Sequence, residues 1–393
     1  MLALRANINA PKGARYHAAE GKTSSNVGDR VTRVSKSQTN QIRLYKDASM
    51  TTFLEQEINS QPQIIAHLLD RETTRAQQIA AALPPFEHVL IAARGTSDHA
   101  AIYAKYAWAS LAGYPVGLAT PALYTLYHTP PRLRNTLIVG ISQSGQSPDI
   151  VAVLEEGKRQ GQPTLAITND GSSPLAAAAD HVIELHAGIE RSVAATKTYT
   201  AQLTVMAMFA AALGHQPERQ AELARLPDAL AATLASLGQV PELAARYRTH
   251  EQCILIGRGF NFATALELAL KLKELTYVMA VAYSSADFRH GPIATVGQGM
   301  PVIMIRPRGA TFADLSELTT GLKERGAELL VISDEPSAGQ GTDALLPIAG
   351  NLPEWLSPIA AIVPGQALAL HLAAARGGDP DHPRGLNKVT LTR

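Results

Sequence analysis

The chain has little of several features that define whole classes of protein. It holds a single cysteine, Cys253, in 393 residues, so no disulfide can form within it and a reducing compartment is expected. The flanking residues, CILIG, favour a buried strand position for this thiol over a nucleophile. Basic and acidic residues nearly balance, at 35 and 34, for a formal net charge of +1. We therefore expect no nucleic-acid partner and no membrane-surface binding.

Long apolar runs are also missing. The best candidate, Ile359 to Ala375, is interrupted by Pro364, Gln366 and His371, which predicts a buried helix rather than a membrane span. We expect a cytoplasmic protein. The composition, 46% hydrophobic and 18% charged, is typical of globular proteins, and the length accommodates two or three domains.

The first 49 residues differ in composition from the rest. They are rich in Ser, Thr, Asn and Arg, poor in acids, and without hydrophobic periodicity. An organelle transit segment has this composition, but so does an extension that precedes a start at Met50. In either case we expect residues 1–49 to be disordered.

The chain repeats itself. VLIAARGTSDHAAIYAKY, from Val89, resembles CILIGRGFNFATALELAL, from Cys253, at an offset of 164 residues. LIVGIS pairs with PVIMIR at the same offset, and TLAITND pairs with LLVISDE at an offset of 165. Strands that are apolar on both faces alternate with helices in each half. The pattern predicts an α/β fold of two tandem doubly wound domains, each a parallel sheet flanked by helices.

The domain organisation follows from this repeat. We expect a first domain over residues 50–214 that begins with a helix near Thr52 to Leu69, and a helical linker over 215–248. A second domain follows over 249–375. Residues 376–393 are rich in proline and glycine and would form a loop that closes over the ligand-binding site described below.

The segment ISQSGQSPDI, from Ile141 to Ile150, follows an apolar strand. Open parallel sheets bind their ligands at the carboxyl ends of strands. A helix that begins at Ser147 and Pro148 would direct free backbone N–H groups and its positive end at an anion. The side-chain donors in this segment are those of Ser142, Gln143, Ser144 and Ser147.

Four donors exceed what a helix cap needs, so the segment predicts a phosphate site, although a polar turn with a cap remains an alternative. The second repeat has Arg306-Pro307-Arg308-Gly309 at this place, so only the first repeat is expected to bind the anion. The end of the preceding strand carries Arg94-Gly95-Thr96-Ser97. This segment would either form a second part of the anion site or be only a tight turn from strand to helix.

A charged stripe lies on an otherwise apolar helix in the second half. Glu267, Lys271 and Glu274 are spaced i, i+4 and i+7 and share one helix face. On a buried helix, such a stripe lines a polar cavity or pairs internally; a solvent-facing ion-pair stripe is the alternative. His290, in a loop, and Lys388, near the C-terminus, could join that cavity or lie exposed. No metal-ligand spacing and no cofactor motif accompany these residues, so we expect neither.

Together these segments resemble the sugar isomerase (SIS) superfamily. The likeness is greatest to the isomerase half of glutamine–fructose-6-phosphate aminotransferases and to the glucosamine-6-phosphate deaminases built on that half. It spans the chain from about Phe53 to Arg393. The matching segments are RGTSDHA, ISQSGQSPD, ERSVAATKTYTAQL, GRGFNFATALELALKLKE, FRHGPIA, MPVIMI and DPDHPRGLNKVT.

The resemblance implies a role for each matching residue. Glu274 matches the base that moves a proton between C1 and C2, and His290 matches a ring-opening acid/base supplied by the neighbouring subunit. Lys388 matches a lysine that meets the open-chain sugar. A homodimer with shared active sites is implied as well. The residues that match the phosphate and sugar contacts, or flank the base, are Ser97, Ser142, Gln143, Ser144, Ser147, Glu267 and Lys271.

Two substitutions depart from the family pattern, and one domain is absent. Asp287 replaces the usual glutamate before the HGP segment, and Ser147 replaces a threonine but keeps the hydroxyl. No glutaminase domain with an N-terminal cysteine is present, so we expect that this chain cannot by itself release ammonia from glutamine.

The resemblance implies a cofactor-independent deaminase or isomerase that acts on a small sugar phosphate, first of all glucosamine 6-phosphate, giving fructose 6-phosphate and ammonia. A sugar-phosphate-binding regulator and a synthase subunit fed with external ammonia are the alternatives.

Overall fold

Two parallel sheets of five strands organise residues 51–388, the part of the chain that the computed structural model describes. The first sheet holds β1 (His88–Ala92), β2 (Val116–Leu118), β3 (Thr136–Ile141), β4 (Thr164–Thr168) and β5 (His181–Glu184). The second holds β6 (Gln252–Gly257), β7 (Met279–Ser284), β8 (Pro301–Ile305), β9 (Glu328–Ser333) and β10 (Ala344–Pro347).

The two sheets share one topology. The strand order is β2-β1-β3-β4-β5 in the first sheet and β7-β6-β8-β9-β10 in the second. Neighbouring strands pair in parallel throughout, with Ile91 opposite Val139 in one sheet and Leu255 opposite Ile303 in the other. The α/β fold of two parallel-sheet domains that the sequence predicts is therefore confirmed.

Helices cover both sheets and connect them. In the first half they are α1 (Phe53–Asn59), α2 (Gln61–Ala82), α3 (Thr96–Ala112), α4 (Ala122–Thr125), α5 (Pro148–Arg159), α6 (Pro174–Ala178) and α7 (Lys197–Leu213). Three connecting helices follow: α8 (Glu218–Leu223), α9 (Leu226–Ala235) and α10 (Val240–Tyr247). The second half has α11 (Phe262–Thr276), α12 (Ser285–Arg289), α13 (Phe312–Glu324) and α14 (Ser357–Ala375). Short 3₁₀ turns lie at Gly259–Asn261, Pro292–Thr295, Pro336–Gly339 and Glu354–Leu356.

The internal repeat is also visible in the backbone of the turn that follows β1 in the first domain and β6 in the second. Gly95 and Gly259 follow β1 and β6 with φ angles of 54° and 58°, a left-handed conformation that glycine adopts without a Cβ penalty. The pairs β1/β6, β3/β8 and β4/β9 are those recognised in the sequence. The sequence did not predict the edge strands β2, β5, β7 and β10, which lie at the two margins of the sheets. Three of them have only three or four residues, and β7 is largely not buried, so none shows the continuous apolar run of a central strand.

The N-terminal helix is two helices rather than one. The single helix expected near Thr52 to Leu69 breaks at Ser60, which ends α1 and precedes α2, with Pro62 in the first turn of α2. Proline has no N–H to continue the preceding helix. The disorder expected for residues 1–49, and the end of the C-terminal loop beyond Lys388, lie outside the described residues.

The most apolar helices are buried as core. Among residues 51–388 one helical segment, Glu354–Ala375, is long and apolar enough to cross a membrane, but 83% of its apolar window is buried inside the protein. This agrees with the predicted core helix. Cys253 is buried in β6 as expected, and burial raises the pKa of its thiol to about 12.

Helix α11 lies at the centre of the molecule. It packs against α3 of the first domain, against α14, and against β6 and β7 of its own sheet. The close approach of α14 depends on Gly365, where an added Cβ would lie 2.8 Å from the side chain of Leu268. That contact fixes the height and rotation of α11.

We expect Gly365→Ala to destabilise the protein by about 1–3 kcal/mol, because overpacking forces α11 and α14 apart. Gly321→Ala is the matched control: this glycine lies within α13, and an added Cβ there meets nothing within 4 Å. The control should stabilise by about 0.5–1 kcal/mol through helix propensity. Urea unfolding midpoints measure both changes, and a Gly365→Ala midpoint at or above wild type would contradict the packing argument.

Candidate active site

One cavity of about 350 Å³ opens where the carboxyl ends of the first sheet face α11. Its size is in the range of small-molecule sites. Segments from five separate parts of the chain surround it. The lining residues are Arg94, Gly95, Thr96, Ser97, Ser142, Gln143, Ser144, Ser147, Val193, Ala195, Lys271, Glu274, Leu386, Asn387 and Lys388.

The loop between β3 and α5 forms one wall. Gly145 turns it with φ at 63°, and an added Cβ would lie 2.1 Å from Ser173 Oγ, so only glycine fits. Ser142 Oγ accepts the Gly145 N–H at 3.1 Å and closes the turn. Ser147 is the N-cap residue of α5 and Pro148 its first residue, as predicted, but the Ser147 hydroxyl makes no capping bond. That hydroxyl is therefore available to a ligand.

Arg94 adds a cation beside this loop. Its Nε donates to Asp149 Oδ2 at 2.9 Å, and Asp149 is fully buried in the first turn of α5. The Arg94 side chain remains about half exposed, at 47%. Because Nε faces Asp149, the two terminal nitrogens can bind an anion bidentately. On this side the cavity therefore combines the neutral donors of the loop with the guanidinium of Arg94.

The charged stripe of α11 forms the opposite wall. Lys271 is buried, and its Nζ lies 2.5 Å from Glu274 Oε2 and 3.4 Å from Glu267 Oε1. Burial opposes the charge on Lys271, but the two carboxylates outweigh it and hold the pKa of Lys271 above its usual value. Lys271 is thus a fixed cation next to Glu274.

The end of the described chain closes a third side. Lys388 Nζ donates to Glu190 Oε2 at 2.7 Å, and Glu190 is fully buried at its side chain. Burial alone would raise the pKa of Glu190; the Lys388 ammonium and hydrogen bonds from Thr196 and Thr198 outweigh it and hold the pKa below its usual value. Asn387 and Leu386 reach the cavity next to this ion pair.

Eight of the ten residues predicted from the sequence line this one cavity: Ser97, Ser142, Gln143, Ser144, Ser147, Lys271, Glu274 and Lys388. Glu267 lies behind the wall, fully buried, bound to Lys271 and to residues of α3. His290 is exposed at the end of α12 and is not among the lining residues of this chain.

Several residues of the site were missed in the sequence. The sequence placed Arg94 in a turn without predicting a contact to a ligand. It placed Glu190 in a segment that matches the family without a role, and it predicted no role for His99. Arg94 is detectable in principle, since it ends a strand next to the anion loop. Glu190 and His99 give no local signal, because their partners Lys388 and Glu267 are 198 and 168 positions away.

The matching place in the second domain is closed by the protein itself. Glu354 Oε2 accepts the Ala310 N–H at 2.7 Å, and Oε1 accepts the Thr311 hydroxyl at 3.2 Å. The Arg306 guanidinium is buried against Thr319 and the Ala338 carbonyl. A carboxylate of the chain thus fills the space that corresponds to the first loop. The expectation that only the first repeat binds an anion stays a prediction.

No group of three or more His, Cys, Asp or Glu side chains within residues 51–388 is arranged to hold a metal ion. The expectation that neither metal nor cofactor is required stays a prediction.

The family model for the SIS domain matches this chain twice, over residues 85–212 and 247–374. The chain belongs to the SIS domain family. The two matched ranges coincide with the two sheets and confirm the resemblance inferred from the sequence. The domain boundaries given above, including those of the linker and the terminal segments, stay predictions.

Relatives of this SIS protein include glutamine–fructose-6-phosphate aminotransferases of the isomerizing type. The one from Pyrococcus horikoshii is 35% identical over 342 residues, which are 86% of this chain and 57% of that protein. The chain therefore spans little more than half the length of this relative, and the activity of the whole aminotransferase does not transfer to it directly.

Solved structures show the same architecture. A candidate phosphosugar isomerase from Silicibacter pomeroyi DSS-3 is 34% identical, with a TM-score of 0.77 over 84% of this chain and all of that one. A glucosamine-6-phosphate deaminase from Thermotoga maritima has a TM-score of 0.73 over 87% of this chain and all of that one. At 22% identity, the second likeness concerns the fold alone.

We expect Arg94→Gln to weaken binding of inorganic phosphate about tenfold, because a charge-assisted bond to the anion is lost. Isothermal titration calorimetry at fixed ionic strength measures this change. Arg159→Gln, at the exposed far end of α5 and also paired with a carboxylate, is the control and should bind like wild type. Equal affinities of the Arg94 and Arg159 variants would contradict the assignment of Arg94.

Proposed function

We propose that this chain is a cofactor-independent sugar-phosphate deaminase/isomerase whose preferred substrate is glucosamine 6-phosphate, converted to fructose 6-phosphate and ammonia. The observation that carries the proposal is a single cavity lined by an anion loop from one domain and by Glu274 from the other. A phosphate anchored at Ser142 to Ser147 would leave the sugar chain extended toward α11.

The anion loop supplies binding energy at a distance from the reacting carbons. Hydroxyl and amide donors of Ser144, Ser147 and Gln143, with the guanidinium of Arg94, would hold the phosphate. Binding a remote, unreactive group orients C1 and C2 against the base and lowers the entropic part of the barrier. The neutral donors position the phosphate, and Arg94 compensates its charge.

Glu274 is proposed as the base of the isomerisation. It would remove the proton from C2 of the open-chain aldehyde while O1 gains a proton, and then return the proton to C1. The ammonium of Lys271, 2.5 Å from Glu274 Oε2, holds the carboxylate in place at the cavity wall. One carboxylate on one face of the substrate suffices, since both carbons lie within its reach.

Loss of nitrogen follows from the same proton transfer. With an amine on C2, protonation of C1 leaves a C2 iminium, and water adds there to release ammonia and a ketose phosphate. Lys388 is proposed to meet the open-chain sugar. Its ion pair with Glu190 would hold the C-terminal segment over the cavity before substrate arrives.

Ring opening is proposed for His290 of a second copy of the chain. His290 is exposed and outside the cavity of its own chain, so its participation requires a homodimer with shared sites. Dimerisation, the role of His290 and a cytoplasmic location all stay predictions.

A second candidate is an isomerase that works in the synthetic direction with ammonia from another source. The similarity to the isomerizing aminotransferases, at 35% identity, favours it, because the chemistry at C1 and C2 is shared. A regulator that only binds sugar phosphates has less support, since it needs the anion loop but not Glu274 and Lys388.

Incubating the purified chain with glucosamine 6-phosphate and no glutamine tests the proposal. Ammonia and fructose 6-phosphate are expected in equal amounts. Glucosamine 6-phosphate formation from fructose 6-phosphate and ammonium, without the reverse release, would favour the synthetic direction. Binding of either sugar phosphate without turnover would contradict the enzymatic proposal and favour a regulator that only binds sugar phosphates.

We expect Glu274→Gln to lower ammonia release by about a thousandfold, because general-base catalysis is lost, while sugar-phosphate affinity changes less than about threefold. Stopped-time ammonia assays and calorimetry measure the two. Glu155→Gln, an exposed change on α5, is the control. A parallel fall in turnover and affinity would count against Glu274 as the base.

A further inference from the structure

The side chains in the first turn of α3 contact two different parts of the molecule. Ser97 lines the cavity and its Oγ accepts from Gln202 Nε2 at 3.0 Å. Thr96, which also lines the cavity, and His99, which does not, reach across to α11 of the second domain. Substrate contacts and supports of the charged stripe therefore share one helical turn.

His99 and Glu267 form a close pair behind the cavity wall. His99 Nδ1 lies 2.7 Å from Glu267 Oε2, and the Glu267 side chain is fully buried. An ionised carboxylate only accepts hydrogen bonds, so the proton of the pair is placed on Nδ1. Thr96 adds a weaker donor, its hydroxyl 3.1 Å from Glu267 Oε1.

The hydrogen-bond donors around Glu267 affect how strongly this carboxylate attracts the Lys271 ammonium, which lies between Glu267 and Glu274. Lys271 Nζ is closer to Glu274, at 2.5 Å, than to Glu267, at 3.4 Å. A buried carboxylate with few donors attracts the nearest cation strongly, because little solvent screens it. Without His99, Glu267 would draw the ammonium toward itself and away from Glu274.

The fold does not require a histidine at this place. At the repeat offset of 164, Ala263 occupies the corresponding position at the start of α11 and is fully buried. The strand, the glycine turn and the helix form there without a polar side chain. The reason for His99 must therefore lie in what it contacts, namely Glu267.

We infer that His99 is a positioning residue for the isomerisation: its bond to Glu267 keeps the Lys271 ammonium on Glu274. This inference rests on the proposed function, since it assumes that Glu274 is the base. His99 touches neither the substrate cavity nor the reacting atoms, and it acts through two side chains of the other domain.

Two variants separate the hydrogen bond from the mere presence of a side chain. His99→Leu removes the donor, and His99→Asn keeps an N–H near the position of Nδ1. We expect His99→Leu to lower kcat for ammonia release about tenfold, with KM for glucosamine 6-phosphate changed less than about twofold. His99→Asn should restore kcat to within about threefold of wild type.

The control is a second histidine–glutamate pair of the same length. His186 Nε2 lies 2.7 Å from Glu72 Oε1, and Glu72 is buried away from the cavity lining. His186→Leu should lower the melting temperature about as much as His99→Leu while leaving kcat unchanged. An equal fall of kcat in both leucine variants would assign His99 a structural role only and overturn the inference.

A crystal structure of the His99→Leu variant tests the inference without any turnover. Lys271 Nζ is expected to move to Glu267 and to leave Glu274 Oε2 by at least about 1.5 Å, to the limit of ion-pair contact at about 4 Å. An unmoved Lys271 overturns the inference even if the enzyme is active. Failure of the wild-type chain to act on glucosamine 6-phosphate, with Lys271 displaced in the variant, would instead reject the proposed function alone.

Discussion

The buried ammonium of Lys271 is the constraint on which the arrangement of the site depends. An isolated charge inside a protein costs several kcal/mol unless partners compensate it. Glu267 and Glu274 provide that compensation from the same helix, one turn to each side. All three groups belong to α11 and move together, so a shift of this helix against the first domain would separate Glu267 from Thr96 and His99.

Helix α11 is accordingly held from several directions. Gly365 lets α14 approach it closely, and α3 contributes donors from the first domain. The packing is apolar and tight, while the electrostatic contacts are few and specific. A packed core has low compressibility, so Glu274 can keep one position relative to the loop of Ser142 to Ser147, which belongs to a different sheet.

The two repeats share one architecture but carry different side chains at corresponding positions. The first retains an open loop, turned by Gly145, beside a half-exposed arginine. In the second, Glu354 fills the corresponding space and Arg306 is buried, where burial holds its pKa below the usual value. In the second domain internal packing closes the space that corresponds to the first loop, and α11 carries the charged stripe.

The sequence by itself determined the repeat, the parallel sheets and most of the cavity lining, because buried strands and helix faces have local periodicity and the loop of Ser142 to Ser147 is a contiguous motif. The placement of His99 against Glu267, and of Glu190 against Lys388, was decided only by the tertiary structure. Those contacts join residues far apart in the chain, and nothing in either local stretch encodes the partner. The exposed position of His290 also emerged only from the folded chain, since the spacing of a loop residue does not fix which cavity it faces.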